Sequence, residues 1–146
     1  MALPRPSAPS MALTLASLEK GHRFATATFE LTAVWVRDYV AAVEDGAIAG
    51  IGDYVPPMAL AAWSIRALLE QSSLPSGSIH AAQELTFARP AVIGESLGVH
   101  AEIVSRGERQ GWVLMAVGLC VVDQGGVAVM DGRATITFPV DPEARR

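Results

Sequence analysis

Residues 54–71 read YVPPMALAAWSIRALLEQ, residues 72–78 form a short SSLPSGS linker, and residues 79–96 continue as IHAAQELTFARPAVIGES. Pro57 suits the first turn of a helix, where a missing N–H goes unnoticed. From Pro57 to Gln71 such a helix spans roughly 20 Å at ~1.5 Å per residue. Apolar residues cover nearly its whole circumference until Arg66 and Glu70, an i,i+4 pair near its exposed end. A helix apolar all round has to be enclosed by something. Ile79 to Ala88 then alternates with the period of a strand.

Three more strands follow. Leu97 to Val104 places Leu97, Val99, Ala101 and Ile103 on one face and His100 and Glu102 on the other. Arg106 to Gly111 makes a turn into Trp112–Val122, WVLMAVGLCVV, which is apolar on both faces and reads as a central strand covered on both sides. Asp123-Gln124-Gly125-Gly126 is a hairpin signal leading to Val127–Phe138. Upstream, Phe24 to Glu30 alternates as a half-buried strand. Thr32 can then cap a helix running through Glu44, with Trp35, Val36, Tyr39, Val40, Ala42 and Val43 on its apolar stripe. The short connections imply antiparallel neighbours. The fold class is therefore α+β: a curved antiparallel sheet wrapped round a central apolar helix.

The 146 residues suit one domain, read as residues 21–140, with a flexible Pro/Ser/Ala-rich tail over 1–20 and a short tail over 141–146. Met11 offers an alternative start. A net charge of −4 argues against nucleic acid, yet ten of the eleven cationic residues are Arg, which leaves phosphate-bearing small ligands open. Cys120 is the only cysteine and lies in an apolar run, where it reads as a small core residue in a reducing compartment. No apolar run reaches the ~20 residues of a membrane span, and a cytoplasmic location is expected. An apolar content of 51% leaves surface that an oligomer would bury. His22 and His100 have no metal-ligand spacing with any Cys, Asp or Glu, so no metal is expected.

The run His80 to Pro90, HAAQELTFARP, followed by Gly94-Glu95-Ser96-Leu97, resembles the MaoC-like dehydratase/hydratase superfamily, and most closely the N-terminal half of two-part hydratases. Val55-Pro56-Pro57-Met58 stands where such proteins begin their central helix, and Gly132-Arg133-Ala134-Thr135 fits their last hairpin. The likeness extends over residues 24–139. It implies a single hot-dog domain and an acyl thioester of coenzyme A or acyl carrier protein as ligand, in bacterial fatty acid or polyketide metabolism. Coenzyme A or phosphopantetheine would enter only as part of the substrate, with no separate cofactor. Hot-dog domains commonly join sheets edge to edge, which implies a homodimer or a heterodimer with a catalytic hot-dog subunit.

One departure bears on catalysis. Active members carry Asp-x-Asn-Pro-x-His after the first helix, whereas residues 43–50 here read VEDGAIAG. Asp45 can stand at the Asp position, but the histidine that would share its proton work is missing. In two-part hydratases the half resembling this chain mainly shapes the acyl tunnel. The sequence fits that supporting role better than the catalytic one.

His80 is the other candidate acid/base. Strict alternation puts it on one face with Glu84, but ~13 Å away, so the two cannot share a proton; a surface or interface histidine is the competing reading. Gln83 falls on the apolar side with Leu85 and Phe87, where an unpaired amide costs about 1–3 kcal/mol. It needs a partner, either the end of the central helix or a ligand's thioester. The resemblance places the thioester at the helix N-terminus, making the backbone of Met58 and Ala59 the expected carbonyl site, with Tyr54 beside it. Trp63 and Met58 read as core or as tunnel lining. Arg89 reads as a ligand for a nucleotide phosphate or as a solvated strand-end residue.

Three functions follow: a MaoC-like dehydratase/hydratase or its non-catalytic subunit, an acyl-CoA thioesterase, and an acyl-CoA-binding module without turnover. The thioesterase needs a carboxylate near the thioester. Glu70 is at the wrong end of the helix, leaving Asp45 and Asp53.

Overall fold

The computed structural model describes residues 13–44, 52–141 and 143. A two-residue strand β1 (Leu13–Thr14) and a single 3-10 turn (Leu15–Ser17) precede β2 (Ala27–Glu30), α1 (Ala33–Val43) and α2 (Pro57–Leu69). A short β3 (Ser72–Ser73) is followed by four long strands, β4 (Ile79–Phe87), β5 (Ser96–Arg109), β6 (Trp112–Val122) and β7 (Ala128–Pro139). The main sheet has the order β2-β5-β6-β7-β4. Every pairing in it is antiparallel, while β1 and β3 pair in parallel. This is the hot-dog arrangement, one curved sheet on one central helix.

Strand alternation builds the core. Leu97, Val99, Ala101 and Ile103 of β5 are all buried, as are Val113, Met115, Val117, Leu119 and Val121 of β6 and Ile136 and Phe138 of β7. Against this face α2 lays Ala59, Leu60, Ala61, Ser64 and Leu68. Ser64 is fully buried because its hydroxyl donates to the Leu60 carbonyl at 2.6 Å and so keeps a partner away from water. α1 begins as its sequence predicts, with the Thr32 hydroxyl accepting from the Trp35 N–H at 3.2 Å, and stops at Glu44, whose φ of 53° is left-handed.

Four expectations are corrected. The second face of β6 is not covered within the chain: Leu114 is 51% exposed, because both helices lie on the same side of the sheet. Nor is α2 enclosed all round. Met58, Ala62 and Leu69 are exposed in a row, because the sheet curves past only one side of the helix. The turn expected over Arg106–Gly111 shrinks to Gln110-Gly111, both at positive φ (52° and 79°), since β5 runs through a bulge after Ile103 to reach Arg109. Finally, the chain joins the core well before residue 21. Leu15 is fully buried and Leu18 nearly so, two apolar anchors that tie residues 13–20 beneath the sheet. Residues 1–12 of that expected tail, and 142 and 144–146 at the other end, lie outside the described residues.

Two measurements check this account. Gln110→Asn should raise the unfolding free energy by about 0.5–1 kcal/mol in chemical denaturation, because Asn tolerates the left-handed conformation that Gln strains to hold. Met115→Ala should cost about 2–5 kcal/mol, whereas Leu114→Thr, one residue away on the open face, should stay within about 0.5 kcal/mol. Equal losses at the two positions would contradict one-sided burial.

Candidate functional site

The N-terminus of α2 is held by the connection between β4 and β5. The Val55 N–H donates to the Ala91 carbonyl (2.8 Å), the Ile93 N–H to the Asp53 carbonyl (2.9 Å), and Tyr54 bridges Val92. Gly94, at φ 100°, lets the chain turn so that its N–H reaches the Leu31 carbonyl at 2.8 Å. The Leu31 N–H in turn donates to the Glu95 carbonyl at 2.8 Å. One short connection therefore fastens the start of α1 and the start of α2 to the sheet.

Arg89 locks that connection. Its guanidinium makes a two-pronged contact with Glu95 (2.7 and 3.2 Å), reaches Asp123 at 3.1 Å, and donates to the Pro90 carbonyl at 2.9 Å. Glu95 also accepts from the Val92 N–H at 2.7 Å. The other carboxylate oxygen of Asp123 accepts from the Gly125 and Val127 N–H groups at 2.9 and 3.0 Å, shaping the β6–β7 turn. Arg89 hydrogen bonds hold the Glu95 carboxyl below its ordinary value against some desolvation. The Val127 N–H, then Arg89, do the same for Asp123. Hydrogen bonds to the two carboxylates push the guanidinium upward. As a phosphate ligand Arg89 would have to leave two carboxylates, so within this chain it ties the site together.

The other candidates fall at separate places. Met58 and Tyr54 are each 54% exposed at the mouth of α2, and Ala59 is buried. The Ala59 N–H already donates to the Pro56 carbonyl at 2.9 Å, which removes it from the expected carbonyl site and leaves Met58 as the first-turn donor facing outward. Trp63 sits in an aromatic cluster with Phe29, Trp35 and Tyr39, at ring-centroid distances of 6.0, 5.3 and 6.3 Å. It packs α2 on α1 beside an open cavity of about 300 Å³, with Arg66 and Glu70 at the rim, 2.9 Å apart. Asp45 lies outside the described residues.

His80 is placed differently from the alternation that joined it to Glu84. A bulge between His80 and Ala82 sets His80 opposite Ile136 and Gln83 opposite Ala134, two positions of β7 that share the inner face. The imidazole Nε2 lies 3.0 Å from Gln83 Oε1. The Gln83 amide also donates to the Glu84 and Arg133 carbonyls at 3.3 Å. The partner sought for Gln83 is thus His80, from its own strand. His80 borders an apolar cavity of about 90 Å³ formed with Ile65, Leu68, Leu69 and Leu74 at the far end of α2. A period-two reading is blind to a bulge, so the sequence carried no signal for it.

A cavity of about 620 Å³ lies on the outer face of the sheet, floored by His100, Gly118, Cys120 and Asp131. His100 bonds Thr26 at 3.1 Å and Arg23 pairs with Glu102 at 3.2 Å. Burial, then Asp131, pushes the Cys120 thiol up, which suits a resting thiol and not a nucleophile. Among the described residues no three His, Cys, Asp or Glu side chains are arranged to hold a metal, and no helix is long and apolar enough to cross a membrane.

The family described as the FAS1-like dehydratase domain region matches residues 19–132. No curated protein matches the sequence. Among solved structures, the (R)-hydratase of A. caviae involved in PHA biosynthesis is similar, at 25% identity over 84% of this chain and 98% of that one, with TM-score 0.68. The unliganded R-hydratase of Pseudomonas aeruginosa is 27% identical, covers 89% of this chain and 88% of its own, and gives TM-score 0.66. The C-terminally truncated 3R-hydroxyacyl-ACP dehydratase complex of Mycobacterium tuberculosis shares the fold, at 19% identity over 85% and 100% of the two chains and TM-score 0.64.

The Arg89 cluster has a pH signature. Glu95 and Asp123 are held below their ordinary values, so they stabilise the fold above the usual carboxylate range, and this contribution is lost as pH falls through their folded values. Thermal melts between about pH 7 and about pH 3 should show Arg89→Met less stable at the neutral end, with a shallower acid limb. Parallel acid limbs in the two proteins would refute the coupling.

Proposed function

The chain belongs to the FAS1-like dehydratase-region family, and on that footing we propose that it binds acyl thioesters of coenzyme A or acyl carrier protein within a MaoC-like 3-hydroxyacyl dehydratase/enoyl hydratase. One observation carries the choice of role: residues 43–50 read VEDGAIAG, without the Asn-Pro-x-His that active members place there. A general base at Asp45 would lack its imidazole partner from the same segment. The chain therefore acts as the substrate-binding, non-catalytic subunit, in the cytoplasm, with coenzyme A or phosphopantetheine as part of the ligand.

What supports binding is the mouth of α2. Pro56 and Pro57 start the helix without a side-chain cap, so its first-turn donors have no side chain competing for them. The Met58 N–H, in the first turn at the positive end of the helix, suits a thioester carbonyl, and it suits that oxygen better still as charge builds on it during loss or addition of water. Tyr54 flanks the mouth and the Arg89 cluster keeps it rigid. Exposed apolar residues along α2 and β4, among them Met58, Leu69, Ile79 and Phe87, favour a homodimer or a heterodimer with a catalytic hot-dog subunit. The thioesterase reading gains nothing from the fold. Glu70 pairs with Arg66 at the opposite end of α2, and the central helix has no acid in its interior.

Purified protein mixed with a crotonyl thioester tests the assignment. Titration should show binding, with no loss of the enoyl absorbance until a catalytic partner is added. Hydration by the isolated chain would sink the supporting role, and release of free thiol would turn the assignment to a thioesterase.

A further inference from the structure

β2 lies at an edge of the sheet, and among the described residues nothing pairs with its other side. Beside that edge the fold gathers aromatic side chains from three elements: Phe29 of β2, Trp35 and Tyr39 of α1, and Trp63 of α2. Most of their contacts have favoured geometries. Phe29 stacks on Trp35 with 25° between planes, while Phe29 and Tyr39 meet Trp63 edge-on at 65° and 68°. The two indoles differ. Trp35 and Trp63 are 5.3 Å apart but tilted by 50°, which is neither an offset stack nor a T shape. Trp35 also stays 41% exposed. The cluster thus leaves indole surface uncovered at the cavity of about 300 Å³, which is otherwise walled by small side chains, Ala27, Thr28 and Ala67.

This cavity stands next to the mouth of α2. Leu31 and Val55 are both tied to the β4–β5 connection, through Gly94 and Ala91, so the starts of α1 and α2 lie together. Trp35 is in the first turn of α1, and Trp63 stands beyond Met58 on α2 by a rise of about 7.5 Å. An acyl group that leaves a carbonyl at Met58 toward α1 passes both indoles. The other route, between α2 and the sheet, is closed. Leu60, Ile103, Met115 and Val117 are at most 1% exposed and leave no room there for a chain.

We infer that the cavity receives the acyl group of the thioester and that this group carries an aromatic ring: an aryl-substituted enoyl or 3-hydroxyacyl chain. This rests on the thioester reading and names its substrate class. Two features select a ring over an alkyl chain. A ring adds oriented face and edge contacts with Trp35 and Trp63 to the area that either group would bury. A long alkyl chain would instead run on to the far end of the slot, where Arg66 and Glu70 form an ion pair, and would press methylenes against two charges. A short acyl group such as crotonyl ends before the rings. The volume is near the lower limit for ligand pockets, so it holds one ring on a short linker and excludes fused polycycles.

Calorimetric titration compares cinnamoyl-coenzyme A with the straight-chain 2-enoyl-coenzyme A of the same carbon number and with crotonyl-coenzyme A. The cinnamoyl thioester should bind the unaltered protein at least about tenfold more tightly than either. Trp35→Leu, at a partly exposed position where the fold should survive, and Trp63→Leu should each cut the preference over the equal-length chain to about twofold or less. That ratio cancels damage common to both ligands, because they share the coenzyme and the carbonyl. A ratio near one in the unaltered protein, or a ratio kept by both variants, overturns the inference. Crotonyl-coenzyme A binding without any preference for the ring removes the aryl class and leaves the thioester reading standing. Binding of cinnamamide that is lost in Trp35→Leu, with no binding of any thioester, does the reverse: the ring site stands and the thioester reading falls.

Discussion

Burial of one face of α2 against the inner face of the sheet is the constraint from which the rest of the structure follows. The interior is closed by Ala59, Leu60, Ala61, Ser64 and Leu68 on the helix and by alternate residues of β5, β6 and β7. Small residues at 59, 61 and 64 let the helix approach closely, and Ser64 does so without penalty because its hydroxyl is satisfied inside the helix. Since both helices occupy one side, apolar residues on the other side of the sheet and along the free flank of α2 stay exposed. The exposed apolar residues accordingly include Val104 and Leu114 on the outer face, Met58 and Leu69 on α2, Ile79 and Phe87 on β4, and Val34, Trp35 and Val43 on α1.

The position of α2 matters chemically because its N-terminus is the polar end of an otherwise apolar element. A helix start must meet something that accepts hydrogen bonds, and here prolines and an exposed Met58 leave that role to whatever enters from outside. The Arg89–Glu95–Asp123 cluster keeps the mouth in place by joining the β4–β5 connection to the β6–β7 turn through charge-assisted bonds. A cation that the sequence offers as a ligand for phosphate instead holds the frame, through Glu95 and Asp123.

Legibility varied with the range of the interaction. The boundaries of α1 and of β6 could be read almost to the residue, because capping by Thr32 and an unbroken apolar run are local. The β5–β6 turn was misplaced because a bulge after Ile103 lengthens the strand without altering its apolar count. The same device at Ala81 moved His80 from the face of Glu84 to that of Gln83 and brought the two side chains to 3.0 Å. Glu95 and Asp123 looked like ordinary turn residues, since nothing in a sequence says that two turns separated by two long strands will meet on one guanidinium.

The sequence by itself determined the order of elements, the inner face of β5 from Leu97 to Ile103, the absence of Asn-Pro-x-His from residues 43–50, and the family to which these add up. Those properties depend on side-chain period, turn chemistry and residue identity, all local in the chain. Tertiary structure alone decided that coverage is one-sided, that Arg89 is spent on two carboxylates, that the Ala59 N–H is taken, and that His80 pairs with Gln83 far from the mouth of α2. Each depends on which backbones the sheet brings side by side, and a single bulged residue is enough to change it.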